Sequence, residues 1–317
     1  MRDQFNRDLN YLRVSITDRC NLRCAYCMPE EGVEHMPHDE LLSYEELYTV
    51  IDEFVKLGVK KLRITGGEPL VRKDVVNFIE KVASLKQLND IAMTTNGIGL
   101  VELAEPLKKA GLHRVNISLD TLNPERYKYI TRGGDLNIVL KGILIAKEVG
   151  LKIKINCVVN KGINDDEIGQ FIQLTDTWGV DVRFIELMPI GQNIKYAQDH
   201  FYSNELIIKQ FPDLIPVIAE DPSSPARYYQ LEGAKGKVGL ISPLSCNFCA
   251  YCNRLRLTPD GKLKPCLHSD IEIDLKNALR NNQDILPLIL KSYEIKPEKH
   301  LLDKHKMIVR QMSQIGG

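Results

Sequence analysis

A chain of 317 residues with 44% hydrophobic and 26% charged side chains can bury a large core, and its composition excludes a disordered segment or a metal-stapled mini-fold. Lys+Arg and Asp+Glu balance at 42 each, so no global charge draws the chain to a nucleic acid or an anionic membrane, and any polyanion site must be a local cluster. The N-terminus (MRDQFNRDLN) lacks a signal-peptide pattern and no run reaches the roughly eighteen apolar residues of a membrane span, which predicts a cytoplasmic protein whose eight cysteines serve metal or redox chemistry.

The first strand candidate, YLRVSIT from Tyr11, runs into a cysteine-bearing stretch, DRCNLRCAYCMPE. At Ser43 the sequence S-Y-E-E offers Ser43 as a cap and Glu46 to close a capping box, which predicts a helix through LYTVIDEFVKL ended by Gly58. Further strand candidates are KKLRITG, DIAMTTN, HRVNISLD, LKIKINCVV and DVRFIELM, each short and rich in β-branched residues. Helical stretches fit near 73–87, 99–110, 135–149 and 164–178. Six β-α units predict an α/β fold, with a parallel sheet curled into a partial (βα)6 TIM-like barrel over residues 1–190. Residues 191–317 are expected to form a C-terminal region that completes the barrel. Within it, 191–245 (including DPSSPAR and LEGAKGKVG) read as a linker and small strands.

The strands carry a second message. One face is apolar (Leu12, Val14, Ile16; Leu62, Ile64; Val115, Ile117, Leu119; Leu151, Ile153, Ile155), while the other reads Arg13, Ser15, Thr17; Arg63, Thr65; Asn116, Ser118, Asp120; Lys152, Lys154, Asn156. A parallel barrel is normally apolar on both faces. If helices cover the apolar face, the polar face lines a lumen, which would be costly to bury unless water or a polar, anionic ligand fills it. A half-exposed antiparallel sheet also alternates, but the intervening helices argue against it.

Seven of the eight cysteines fall in two groups. Cys20, Cys24 and Cys27 follow the first strand at C-x3-C-x2-C spacing, at the end where barrel enzymes place their chemistry. Three thiolates on one loop select zinc or an iron–sulfur cluster. Zinc ligands usually come as C-x2-C pairs, so the trio fits better a cluster with one iron left for another ligand; the alternative is a zinc site borrowing a distant cysteine. The second group holds Cys246, Cys249, Cys252 and, after thirteen residues, Cys266, and by spacing alone a zinc ribbon remains open. The lone Cys157 reads as a small buried hydrophobe. His268 stands close enough to Cys266 to be an alternative ligand or a neighbour of one.

The trio with Tyr26 before its last cysteine, followed by ITGGEPL after the second strand, resembles the radical S-adenosylmethionine (SAM) superfamily. That resemblance implies a radical SAM barrel in which Cys20, Cys24 and Cys27 hold a 4Fe–4S cluster and SAM chelates its fourth iron, with Gly66 and Gly67 in the SAM-contacting turn. The stretch CNFCAYCNRLRLTPDGKLKPC and the terminal RQMSQIGG resemble, more narrowly, the GTP 3′,8-cyclases of molybdenum-cofactor biosynthesis. The resemblance runs from Arg13 to Gly317 and implies two 4Fe–4S clusters, the second held by Cys249, Cys252 and Cys266 with an iron free for guanine. Cys246 departs from that pattern as a possible fourth thiolate and is read as a non-ligand.

By the same resemblance Tyr26, Gly67, Ser118 and Met188 contact SAM, and Arg13, Arg63, Thr94, Lys154, Arg254 and Arg256 contact GTP. Lys152 shares the lumen face and is the alternative to Lys154. Gly316 and Gly317 form a tail entering the active site, where they act with Arg13 in catalysis. The implied chemistry is that of a lyase. Cleavage of SAM gives a 5′-deoxyadenosyl radical, hydrogen leaves ribose C3′, and the sugar radical attacks guanine C8 to give 3′,8-cyclo-7,8-dihydro-GTP. An external one-electron donor, a homodimer and a downstream cyclic pyranopterin synthase are implied by the family. Competing expectations are a peptide-modifying radical SAM enzyme with an auxiliary cluster and a non-enzymatic zinc-binding interaction protein.

Overall fold

A computed structural model describes residues 1–191, 194–246, 248–300 and 310–316. All six expected strands form: β1 (Tyr11–Ser15), β2 (Lys61–Thr65), β3 (Asp90–Thr95), β4 (Arg114–Ser118), β5 (Lys152–Val159) and β6 (Asp181–Glu186). Each pairs in parallel with the next. The apolar face packs outward against helices: Leu12, Val14, Ile64, Val115, Ile117 and Ile155 are fully buried in one core with Val50, Ile51 and Phe54.

Helix α1 (Tyr44–Lys56) begins on the expected capping box. The Glu46 N–H donates to Ser43 Oγ (3.1 Å) and the Ser43 N–H to Glu46 Oε2 (2.7 Å), so two end donors are satisfied reciprocally. Helices α2 (Val75–Ala83) and α3 (Leu100–Lys109) fill the next crossovers. The crossover after β4 carries two helices, α4 (Pro124–Thr131) and α5 (Leu136–Glu148), of which the first was not expected. Asn123 caps α4 by accepting from the Arg126 N–H, and Arg132 ends it in the left-handed region at φ 55°. Helix α6 (Ile168–Thr177) leads to β6.

The C-terminal region extends the sheet at both edges. Its strands are β7 (Ile215–Val217), β8 (Ala226–Gln230), β9 (Val238–Ile241), β10 (Arg254–Leu257), β11 (Lys262–Lys264) and β12 (Ile273–Asp274). β9 adds parallel to β6 and β10 adds parallel to β1, giving eight parallel strands in the order β10-β1-β2-β3-β4-β5-β6-β9. Antiparallel β11 and β12 continue one edge, and β8 and β7 the other. Among the described residues no pairing joins β9 to β10, so the sheet curls around its polar face without closing by hydrogen bonds. The linker region thus supplies three strands, β7 to β9, and two short helices, Ile194–Asp199 and Asn204–Gln210. No described helix is long and apolar enough to cross a membrane.

Candidate active site

The polar strand face lines one cavity of about 700 Å³, with Arg13, Arg63, Thr65, Ser118, Asp120, Lys154 and Asn156 on its wall. The two cysteine groups lie at opposite ends of it. Cys20, Cys24 and Cys27 follow β1, at the C-terminal ends of the parallel strands. Cys252 lies two residues before β10, and Cys266 follows β11, which runs antiparallel to β10; both therefore lie at the N-terminal ends of the parallel strands.

At the first end the backbone sets the thiols. The Arg23 N–H donates to Thr131 O and the Ala25 N–H to Ile130 O, docking the loop on α4, and Cys27 N–H turns back onto Cys24 O at 2.8 Å. Burial pushes the Cys20 thiol up to about 11, and burial with the neighbouring Cys20 pushes Cys27 to about 12. Cys24 rises well above the ordinary range through burial and the nearby Cys27. Three buried thiols lining one space, with Cys20 opposing the ionisation of both Cys24 and Cys27, would suit a cationic multi-iron centre that binds them as thiolates, their protons passing to solvent.

Gly66 and Gly67 have a structural role that their motif did not foretell. A Cβ on Gly67 would lie 2.3 Å from Arg19 O, and one on Gly66 2.8 Å from Thr17 O. The Gly67 N–H donates to Thr17 O (2.7 Å) and the Glu68 N–H to Arg19 O (2.8 Å), so the turn after β2 grips the backbone leading into Cys20. Glu68 ties in β3 as well. Its buried carboxylate accepts from Thr95 Oγ1, the Asn96 N–H and the Leu70 N–H, while burial raises it to about 7. Tyr26 donates its hydroxyl to Asp120 (2.7 Å), and burial lifts Asp120 to about 6. Tyr26, Gly67, Ser118 and Met188 all line the cavity.

Toward the other end the wall is cationic. Arg13, Arg63, Thr94, Lys154, Arg254 and Arg256 line it, as the strand alternation anticipated for the first two and for Lys154. Burial lowers Arg13, with Arg256 as the next cause, and burial lowers Arg256, with Arg254 next. Such crowding is unfavourable unless an anion offsets it. Lys152 is exposed and lies outside this cavity, whereas Lys154 lines it and pairs with Asp181 at 2.7 Å. Tyr11 stands under both Arg63 and Arg254, with guanidinium carbons 5.8 and 5.7 Å from its ring centre. Burial alone would raise its phenol, but Arg63, Arg13 and Arg254 together bring it down to about 8.

Several wall residues were missed. Lys61 shares parity with Arg63, and Arg183 shares parity with Ile185, so the alternation that found Arg63 also reaches them. Arg183 donates to the Tyr228 hydroxyl at 2.7 Å. Lys296 had no local signal. It is 2% exposed, and its ammonium donates to Arg254 O (2.8 Å) and Pro265 O (2.7 Å) and approaches Cys252 Sγ at 3.7 Å. Cys249, Cys252 and Cys266 line the cavity; Cys246 is exposed and does not. His268 also lines it, held neutral by burial and the nearby His300.

The tail threads between the two ends. Met312 and Ser313 line the cavity, Ile315 packs with Ile190, Met188 and Leu267, and the Ser313 backbone N–H reaches Cys27. Arg256 Nη1 donates to Gly316 O at 2.8 Å. Gly316 is at φ 81°, and a Cβ there would meet Thr65 Oγ1 at 2.3 Å and Ser15 Cβ at 2.9 Å. Gly317 lies outside the described residues. Arg13 lines the same lumen.

A cysteine trio at the C-terminal end of such a barrel defines a class. The Radical SAM superfamily pattern matches residues 14–175, and the Molybdenum Cofactor Synthesis C pattern matches 180–302. The fold agrees with SuiB of Streptococcus suis bound to S-adenosylmethionine (TM-score 0.63, 17% identity, 89% of this chain and 65% of that one). It also agrees with methylornithine synthase (TM-score 0.51, 16% identity, 94% and 85%). The chain is 54% identical to the GTP 3′,8-cyclase of Alkaliphilus oremlandii over 100% of both, and 52% identical to that of Peptoclostridium acidaminophilum over 99% and 98%. The chain is a radical SAM enzyme, with SAM and a 4Fe–4S cluster as its cofactors. Within that superfamily it belongs to the GTP 3′,8-cyclases, lyases of molybdenum cofactor biosynthesis.

Proposed function

We propose that this chain converts GTP to (8S)-3′,8-cyclo-7,8-dihydroguanosine 5′-triphosphate, the first step of molybdenum cofactor biosynthesis. The observation that carries the reading is the single lumen with a cysteine trio at each end and buried arginines between. When bound, SAM and a reduced 4Fe–4S cluster supply a carbon radical able to take hydrogen from a ribose C–H bond.

The chain's own residues bind, orient and exclude water. Cys20, Cys24 and Cys27 would hold the first cluster, and Tyr26, Gly67, Ser118 and Met188 would hold SAM beside it. Cys249, Cys252 and Cys266 would hold a second cluster whose remaining corner takes the guanine; Cys246, exposed and off the lumen, stays a non-ligand. Arg13, Arg63, Thr94, Lys154, Arg254 and Arg256 would bind GTP, the arginines gripping phosphate oxygens bidentately and Lys154 adding a point charge. A triphosphate among them offsets the cation crowding and fixes the ribose for reaction. The Gly316–Gly317 tail would close the reacting pocket, Gly316 through Arg256, with Arg13 on the same wall.

Residues 1–190 act as the radical SAM barrel and 191–317 as the auxiliary-cluster region. An external one-electron donor, a cytoplasmic setting, a homodimer and a downstream cyclic pyranopterin synthase complete the reading on family grounds. Anaerobic incubation with GTP, SAM and a reductant, followed by mass spectrometry, tests it. The expected result is 5′-deoxyadenosine and an isomer of GTP, both formed only when GTP is present. SAM cleavage indifferent to GTP overturns the reading. About eight irons per chain with matching sulfide supports two clusters; about four would remove the second.

A further inference from the structure

Four cations at the N-terminal mouth of the lumen already hold carboxylates. Arg114 pairs with Asp90 (2.6 Å), Lys154 with Asp181 (2.7 Å), Lys61 with Asp221 (2.5 Å) and Lys237 with Glu220 (2.7 Å). The four carboxylates differ in what anchors them. Asp90 and Asp181 are the first residues of β3 and β6, so they cannot leave without disturbing paired strands. Glu220 and Asp221 ride on the connection 218–225 between β7 and β8.

That connection is a strap across the gap of the open sheet. It springs from the edge that carries β9, β8 and β7, yet it reaches β2 and β10 on the far side. Asp221 Oδ2 meets Lys61 of β2, and Ser223 O accepts from Arg254 Nη2 of β10 at 2.5 Å. The strap is shaped by its own turn: Asp221 Oδ1 accepts from the Ser223 N–H (2.9 Å) and Oγ (2.6 Å), leaving Oδ2 for Lys61. Its apolar anchoring is slight, for Ile218 at its base is 95% exposed. Glu220, Asp221, Ser224 and Pro225 nonetheless line the same cavity as Arg63 and Lys154. A carboxylate on a strap tied to the barrel by polar contacts, paired with the cation two residues from Arg63, occupies the position a phosphate oxygen would contest.

We propose that the 218–225 strap is a displaceable lid in which Asp221 stands in for the terminal phosphate of a nucleoside triphosphate on Lys61. A triphosphate long enough to reach Lys61 releases the strap, and a diphosphate leaves it latched. Asp221 is thus a specificity-determining residue that never touches the reacting atoms. The inference rests on the GTP reading above and extends it to how phosphate length is sensed.

Equilibrium dialysis of labelled GTP and GDP against the anaerobically reconstituted full chain tests it, with Asp221→Asn and Asp221→Glu as variants. D221N is expected to raise the ratio of GTP to GDP affinity about two- to fivefold, the range a partly exposed ion pair supports, while D221E keeps the wild-type ratio. Hydrogen exchange of the 218–225 amides in the wild type is expected to speed up with GTP and not with GDP. An unchanged or lower ratio in D221N overturns the lid while leaving the cyclase reading intact, as does strap exchange indifferent to GTP. A fully iron-loaded wild type that does not bind GTP overturns both.

Discussion

The ammonium of Lys296 sits 3.7 Å from the Cys252 sulfur, with two further hydrogen bonds closed on the carbonyls of Arg254 and Pro265. Burial alone would raise this thiol, but Lys296, Arg254, the Arg254 backbone and Arg7 outweigh it and bring Cys252 down to about 7. Cys249 shows the contrast directly: its thiol is raised, chiefly by burial. A buried cation therefore prepares one sulfur of the second group as a thiolate.

In cluster-free protein, Cys252 should be alkylated faster than Cys249, at a rate that rises as pH passes through about 7. Lys296→Met should move that midpoint up, to or above the ordinary thiol value. Because the folded-state value is depressed, the thiolate's contribution to stability is present above the ordinary value and lost as pH falls through about 7. Its size is on the order of 2 kcal/mol. Peptide mass spectrometry after timed alkylation reads the rates, and equal rates at Cys249 and Cys252 would refute the assignment.

Gly67→Ala should separate the two ends of the lumen. The added methyl would lie 2.3 Å from Arg19 O, so the Thr17–Arg19 backbone must move and take Cys20 with it. On the two-cluster reading proposed above, the expected outcome is loss of the first cluster with the second retained, so that reconstituted protein falls from about eight irons per chain to about four. Circular dichroism should stay unchanged. Iron and sulfide analysis checks the count; full loading would show that the loop absorbs the methyl.

The strands and their inward polar face were legible because a period of two survives in any short stretch, and burial on one side enforces it. Ser43 and Glu46 were legible for the same reason, since a capping box is local. What escaped was non-local. β10 pairs with β1 across more than two hundred residues, and no residue near Arg254 announces that partner. Nothing in the sequence around Lys296 marks it, and only the fold brings it to Cys252. Helix α4 escaped for a different reason: eight residues with a mixed pattern, PERYKYIT, carry little periodicity. The cysteines were legible by spacing alone, because chemistry rather than burial sets their pattern, although the spacing that gathers Cys249, Cys252 and Cys266 also takes in Cys246, which lies exposed and off the cavity.

Phe54 on α1 is fully buried against the outer face of the barrel. Phe54→Ala should cost about 3–5 kcal/mol through lost transfer energy and the cavity left behind. That is a large part of the stability of a typical domain, so the variant should unfold at markedly lower denaturant while its lumen residues are untouched. Denaturant titration of the cluster-free chain measures it, and a loss below about 1 kcal/mol would mean the core collapses to fill the space.

Gly316 makes the sharpest demand on a side chain. It combines a left-handed φ of 81° with a missing Cβ that would otherwise strike Thr65 Oγ1 and Ser15, and its carbonyl accepts from Arg256. Gly316→Val must therefore withdraw the tail from the lumen, releasing Arg256 and the Ser313 contact to Cys27. Deleting Gly316 and Gly317 should act the same way. Since both cysteine groups are carried by other segments, iron content should match the wild type, about eight per chain on the two-cluster reading proposed above. Formation of the cyclised nucleotide should fall by about a hundredfold or more, the scale on which misplacement of reacting groups acts. Parallel iron analysis and product assay check this. A deletion variant with wild-type turnover would remove the tail from the reaction, and one that loses iron would make it a structural prop for the cluster loop instead.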